Sequence, residues 1–427
     1  MIKHTVGLKA LSPIFFFIIF YVTFSIAIGD FYKIPITVAF MFSSIYAVAI
    51  TSKISFKQRI KTFSKGATSE NMTLMLWIFI MAGAFAQSAK EMGSIEATVH
   101  LALNILPGNL LLAGLFLSAC IISMSIGTSV GTIVALTPIA AMMGDSTGYH
   151  EALLVGTVVG GSLFGDNLSF ISDTTVAATS TQGCNMKDKF MTNIYIAVPA
   201  AITILGIYFA IGKGLPNIDR HYDVAYLNLI PYLIVLITAI AGLNVLIVLA
   251  LGIAMTGFIG IYMGAYDFYG WLHSMGNGMT GMGELMIITM LAGGLLELIS
   301  LNGGIQYIVE RLTQRIKGKR GAELSIAALV SLVDLCTANN TVAILTVGGI
   351  SKSISEKFHI DPRKSASILD TMSCAVQGVI PYGAQVLMAA GLANISPLNI
   401  TPYLFYPFAI GAFTVLAILF RYPGKNS

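Results

Sequence analysis

Charge is what this sequence has least of. Asp, Glu, Lys and Arg make up 10% of 427 residues, while apolar residues make up 56%; an ordinary soluble domain carries about 25% charged residues. That shortage excludes a soluble globular protein of ordinary surface. The formal net charge of only +4 gives no footing for nucleic acid. Cysteine is scarce as well. Cys120, Cys184, Cys336 and Cys374 show no CxxC spacing and three of them lie in apolar runs, so they read as small core residues and imply neither a disulfide framework nor a thiolate metal site. No cofactor is expected.

Long apolar runs are abundant. Residues 11–29, 34–50, 71–88, 190–211, 226–241, 243–264, 284–300 and 402–420 each approach the roughly 20 residues that cross hydrocarbon as a helix. They predict an all-α polytopic protein embedded in a lipid bilayer. The stretch of Lys3, Lys9 and then Leu11 to Ile28 has the outline of a signal peptide, but with many spans after it a retained first helix is expected. Trp77 and Trp271 read as boundary or packing residues.

The basic residues set an orientation. With the N-terminus and C-terminus in the cytoplasm and the spans alternating, only Lys33, Lys90, Lys213 and Arg220 of the 24 Lys and Arg fall outside. Among those inside, Lys187 and Lys189 form one short loop and Arg311, Arg315, Lys317, Lys319 and Arg320 another. Basic loops stay on the cytoplasmic side, so a multi-pass protein of the cell inner membrane is expected.

Two regions break the pattern of plain spans, and they resemble each other. Met81-Ala82-Gly83-Ala84-Phe85 heads one and Leu291-Ala292-Gly293-Gly294-Leu295 the other; amphipathic stretches follow, expected as interfacial helices between moving and static parts. Polar interruptions come next, at Ser125 to Thr132 and at Cys336 to Thr341. Last come Gly165 to Thr175 and Gln377 to Gln385, with the offset near 210 residues throughout. The orientation makes the copies inverted. The expected organisation is an N-terminal extension with a basic loop (1–70), repeat 1 (71–189, with a re-entrant hairpin at 108–143 and a broken helix at 148–182), linking helices (190–283), repeat 2 (284–400, hairpin 321–351, broken helix 365–394) and a C-terminal helix (401–427). Inverted repeats with broken transmembrane helices point to a secondary transporter whose site lies at mid-membrane.

Gly165 to Thr175 carries the chemistry. On insertion scales one Asp at the centre of a spanning helix costs roughly 2.5 to 3.5 kcal/mol, and Asp166 and Asp173 lie within eight residues of each other. An empty site holding protons, exchanged for a bound cation, removes that cost. Asn167, Ser169, Ser172, Thr174, Thr175 and carbonyls freed near Gly165 would complete an all-oxygen shell suited to a hard cation; the plainer alternative has the hydroxyls bonding back to the helix. Ser125, Thr128, Ser129 and Thr132 are further candidates, with packing through small residues as their alternative. Asp334, Asn339, Asn340 and Thr341 are the counterparts in the second copy. Gln377, Gln385, Asp370 and Glu297 are secondary candidates. Asp370 is placed near the cytoplasmic end beside Lys364, and Glu297 is either a proton relay or a helix-end carboxylate.

Gly127-Thr128-Ser129-Val130-Gly131 matches the GxSxG pattern of serine hydrolases. The six histidines (His4, His100, His150, His221, His273, His359) fall at termini or in expected loops and interfaces, and no strand precedes the motif. An enzyme is not expected.

Phe164-Gly165-Asp166-Asn167-Leu168-Ser169-Phe170-Ile171-Ser172-Asp173-Thr174-Thr175 resembles the motif of the NhaC-type sodium/proton antiporters, roughly FGD-x-x-SP-x-SDTT. Gly127-Thr128-Ser129-x-Gly131-Thr132 is similar to that family's hairpin signal, and the resemblance runs from about residue 70 to 395. It implies the fold of the ion-transporter superfamily, sodium export driven by inward proton flow, and cation and proton sites at Asp166, Ser169, Ser172, Asp173, Thr174 and Thr175. Sodium ions and protons are then the partners, and a homodimer is compatible with the reading. Phe170 replaces the family's usual proline, Asn167 a common lysine, and Ile380-Pro381-Tyr382-Gly383 a Pro-Trp-Asn pattern. Relatives that exchange malate, lactate or amino acids make a coupled carrier of a small organic solute the alternative.

Overall fold

Several helices in this chain start at a capping Ser, Asn or Asp (Ser55, Ser172, Asn244, Asp267, Asn339, Asp361), and two stop at a left-handed glycine, Gly148 and Gly183. The computed structural model describes residues 7–28, 35–52, 54–105, 107–126, 128–169, 172–213, 222–241, 243–313, 316 and 318–422. Gly127, Phe170, Ile171, Lys3, Lys33, Lys53, Arg220, Arg315, Lys317 and Lys425, which the hairpin tip, the break and the charge count drew on, lie outside the described residues, as does the side chain of Ser125.

The first half of the chain forms α1 (Ser12–Ile28), α2 (Ile36–Ile50), α3 (Phe56–Ala67), α4 (Glu70–Glu91), α5 (Ser94–Ile105), α6 (Leu111–Ile126), α7 (Ser129–Thr147), α8 (Glu151–Leu168), α9 (Asp173–Gln182) and α10 (Met186–Gly212). The second half forms α11 (Ile230–Ile240), α12 (Val245–Tyr262), α13 (Phe268–Gly281), α14 (Gly283–Leu301), α15 (Gly304–Thr313), α16 (Gly318–Thr337), α17 (Asn340–Lys357), α18 (Pro362–Gln377), α19 (Ala384–Ala393), α20 (Pro397–Ile400) and α21 (Phe405–Phe420). Element by element the second series answers the first, with α20 and α21 together in the place of α10. The succession reaches beyond 71–189 and 284–400: α1 to α3 within 1–70, and most of α10 together with α11 to α13 within 190–283, have places in it.

Packing follows the same exchange. α4 lies on α13 while α3 lies on α14; α2 lies on α14 while α12 lies on α4; α7 lies on α19 while α17 lies on α9. Each contact therefore has a mate with the two halves swapped. Glycine makes the first pair possible. A Cβ on Gly83 or on Gly278 would stand against the other residue's carbonyl oxygen, and a Cβ on Gly293 would lie 2.7 Å from the carbonyl oxygen of Gly66. The glycines of the two repeat heads are thus the points where α4 and α14 meet the opposite half backbone to backbone.

Among the described residues five helical segments are long and apolar enough to cross a membrane, or up to seven if two bent pairs each count as one span. Large apolar side chains such as Phe258, Ile202 and Phe420 are exposed on them, as a lipid-facing surface requires. Several such spans with outward-facing apolar side chains are the pattern of a multi-pass membrane protein. Two expected spans come out short. Residues 34–50 hold the 15-residue α2, and 226–241 hold a 3-10 turn at Tyr226–Leu229 that runs directly into the 11-residue α11, both under the roughly 20 residues of a full crossing.

Candidate functional site

α8 is buried along almost its whole length and ends at Leu168, so it delivers Asp166 and Asn167 to the interior just before the chain breaks. Ser169 is extended, with φ −81° and ψ 142°. Such a break frees carbonyls inside an apolar medium, where each must find a partner. The hydroxyls supply them. Ser172 Oγ lies 3.0 Å from the Asp166 carbonyl oxygen and Thr174 donates to the same carbonyl at 3.3 Å, while Thr175 donates to the Ser169 carbonyl at 2.9 Å. Ser172 also caps α9 by accepting the Thr175 N–H at 3.2 Å. These side chains bond across the break rather than back along one helix.

Asp166 is 2% exposed. Its Oδ1 accepts the backbone N–H of Ser129 at 3.0 Å, so the carboxyl group sits at the positive N-terminal end of α7. Among the described residues no Lys, Arg or His forms an ion pair with it. Thr128 occupies the cap position of α7 without a capping side-chain bond, and the Thr132 hydroxyl turns back to the Thr128 carbonyl at 3.3 Å.

Asp173 is placed differently from its expected dry position. It is exposed at the first turn of α9, because Thr174 and Thr175 take the inward face of that turn and direct their neighbour outward. Its Oδ1 accepts the Thr174 N–H at 3.1 Å and its Oδ2 accepts the Thr341 hydroxyl at 2.7 Å.

The second half brings its own break to the same place. Ala338 has a left-handed φ of 49° between α16 and α17. Asn339 caps α17 by accepting the Val342 N–H at 3.0 Å, and Asn340 Oδ1 accepts the Thr341 N–H at 3.0 Å. Gln377 donates to the Ala338 carbonyl at 3.0 Å and to Gln385 Oε1 at 2.9 Å, and Gln385 donates to Ser129 Oγ at 3.1 Å. Gln385 on Ser129 and Asp173 on Thr341 are therefore mates under the exchange of halves. At these equivalent places the first half has carboxylates and the second half amides. Asp334 is fully buried on α16, and among the described residues neither of its carboxylate oxygens has a hydrogen-bond partner. Glu297 stands apart from the site, paired with Lys65 of α3 at 2.9 Å.

Three residues escaped the sequence reading. Lys189, counted there in a cytoplasmic loop, is fully buried in the first turns of α10. Its Nζ donates to the Asn167 carbonyl at 3.0 Å and to Thr175 Oγ1 at 2.7 Å, and pairs with Asp370 Oδ2 at 2.8 Å. Asn193, one turn further on, donates to the Asn167 carbonyl and to Asp370 Oδ2, both at 2.8 Å. Tyr406 of α21 donates to Asn167 Oδ1 at 3.0 Å. Asp370 thus belongs to Lys189, and Lys364 faces Glu323 at 3.4 Å instead. The four-residue spacing of Lys189 and Asn193, which puts both on one face of an otherwise apolar helix, was the available signal.

A separate cavity of about 300 Å³ lies where α4, α7, α13 and α19 approach, with Gln87, Lys90, Glu151, Asn277 and Asn394 in its wall.

The sequence pattern described as the Na+/H+ antiporter family matches this chain twice, over residues 1–213 and again over 217–425. The chain is 22% identical to the malate-2H(+)/Na(+)-lactate antiporter of Bacillus subtilis (strain 168), across 92% of this chain and 91% of that protein. It is 23% identical to the Na(+)/H(+) antiporter NhaC of Alkalihalophilus pseudofirmus, across 80% of each. A crystal structure of the Alcanivorax borkumensis YdaH transporter, 13% identical, aligns over 91% of this chain and 99% of that one with a TM-score of 0.45.

Proposed function

Because the chain belongs to the Na+/H+ antiporter family, a family of transporters and not of enzymes, we propose that it exchanges sodium for protons across a bacterial inner membrane, the two ions taking turns on Asp166. The observation that carries this reading is a buried carboxyl group with no basic partner among the described residues. A protein that wanted only packing there would hold an apolar side chain, and one that wanted only structure would pair the charge. The Asp166 carboxyl instead has a helix end against it, and its own main-chain carbonyl carries the hydroxyls of Ser172 and Thr174, oxygens and dipoles that suit either a proton or a small hard cation. Asp173, exposed and held by Thr341, is the receiving carboxylate through which an ion passes to or from water. Protonated or sodium-bound, the site is near neutral and free to be re-exposed on the other side. Empty and ionised it is not, and that difference makes the movement an exchange.

The two halves, each beginning and ending on opposite sides, form an inverted pair with both chain termini in the cytoplasm. A cysteine placed at Lys319 reports that orientation: it stays unreactive to an impermeant thiol reagent on whole cells. The transport reading is tested in inverted membrane vesicles. Sodium alone collapses a preformed pH gradient in the wild type, and Asp173→Asn removes the effect while the protein remains folded.

The alternative is proton- or sodium-coupled transport or exchange of a small organic acid or amino acid. What favours it is the cavity of about 300 Å³ with Lys90, Glu151 and the amides of Gln87, Asn277 and Asn394 in its wall, a size and polarity that a small polar acid or amino acid fits. A pH gradient that collapses only after an organic acid or amino acid is added decides for it.

A further inference from the structure

The three donors of the buried Lys189 ammonium are all met, two by oxygens of the α8–α9 break and one by the Asp370 carboxylate of α18. An ammonium has three donors and no acceptor. Here the three contacts are a main-chain carbonyl (Asn167, 3.0 Å), a hydroxyl (Thr175, 2.7 Å) and a carboxylate (Asp370 Oδ2, 2.8 Å), the oxygen types that ligate hard cations. Two more buried oxygens of the same cluster, Asp370 Oδ1 and Asn193 Oδ1, have no hydrogen-bond partner among the described residues. A lysine needed only to neutralise Asp370 does not require that surplus of acceptors.

We propose that the Lys189 ammonium is a resident cation filling a second cation position at the α8–α9 break, so that the exchanged ion is confined to the Asp166 position. This deepens the sodium reading above and rests on it. The tethered charge cannot leave with the cargo. It holds the Asn167 carbonyl, the Thr175 hydroxyl and Asp370 in a cation-ready arrangement, and it fixes how many sodium ions each cycle carries. Lys189 is accordingly a positioning and specificity residue.

Removing the ammonium while keeping its oxygens opens the position to sodium. The test is calorimetric titration of sodium into the purified full-length protein in lipid nanodiscs, for wild type, Lys189→Ala and Lys189→Ala/Asp370→Asn. Lys189→Ala is expected to bind one sodium more per chain than wild type and to melt at a temperature that rises with sodium concentration more steeply than that of wild type. The double variant returns to the wild-type count. A Lys189→Ala protein that binds the wild-type number of ions overturns the proposal. So does one that fails to fold even in saturating sodium while Lys189→Met/Asp370→Asn folds, because the lysine then serves only to neutralise a buried carboxylate. The gain is counted against wild type; a wild type that binds no sodium contradicts the proposed function, while the comparison still decides the role of Lys189.

Discussion

The hydroxyl of Thr341 donates to the carboxylate of Asp173 at 2.7 Å, joining the first turn of α17 in one half of the chain to the first turn of α9 in the other. Its mate, Gln385 on Ser129 at 3.1 Å, joins α19 to α7. The two bonds stitch four helix starts together at the level of the breaks. Both bonds cross between the two halves, so parting the halves at this level breaks them.

Thr341→Val keeps the shape of the side chain and deletes the bond to Asp173. Hydrogen bonds to a charged group are worth about 1.5 to 3 kcal/mol, less where water competes, and Asp173 is exposed. The expected result is a rise of roughly tenfold at most in the apparent KM for sodium, with Thr341→Ser close to wild type. Initial rates of sodium-driven proton flux in proteoliposomes measure it.

Gly278 meets the backbone of Gly83, whereas Gly276, on the same helix, has open space where a Cβ would stand. Gly278→Val forces α13 off α4 and is expected to cost more than the roughly 1 to 3 kcal/mol usual for overpacking. Gly276→Ala is expected to be neutral or to stabilise by about 0.5 to 1 kcal/mol through helix propensity. Melting temperatures of the purified proteins separate the two.

Asp361 caps α18 outside the buried region, accepting the Arg363 N–H at 2.9 Å and Arg363 Nε at 3.0 Å. The Arg363 side chain holds its carboxyl below the ordinary Asp value. A lowered folded-state value means that the stabilisation is complete above the unfolded value of about 3.9 and is lost as the pH falls through the folded one. Asp361→Ala should cost about 1 kcal/mol at neutral pH, the usual worth of such a cap. The difference in melting temperature from wild type should close below about pH 4.

How much was legible follows from what each signal depends on. The helices and the repeat were legible because apolar runs and a fixed offset are written along the chain. The glycines of the two repeat heads were visible as a motif, but their use, backbone contact with the opposite half, depends on tertiary packing. Asp166 stood out because an acid among apolar residues has a cost that needs an explanation. Lys189 did not, because a lysine two residues after Lys187, beside a polar loop, reads as cytoplasmic until the fold turns α10 inward and buries it against Asp370. The exposure of Asp173 was hidden for the same reason: which face of a ten-residue helix looks outward is decided by its neighbours and not by its own sequence.

The most direct test of the central claim is competition at Asp166. In proteoliposomes loaded with labelled sodium, wild-type exchange should show an apparent KM for sodium that rises in proportion to proton concentration at constant maximal rate, and Asp166→Asn should bind neither ion competitively and carry no sodium-dependent proton flux while remaining folded. Retained sodium-dependent proton flux in Asp166→Asn, or a KM for sodium indifferent to pH in the wild type, would contradict the account.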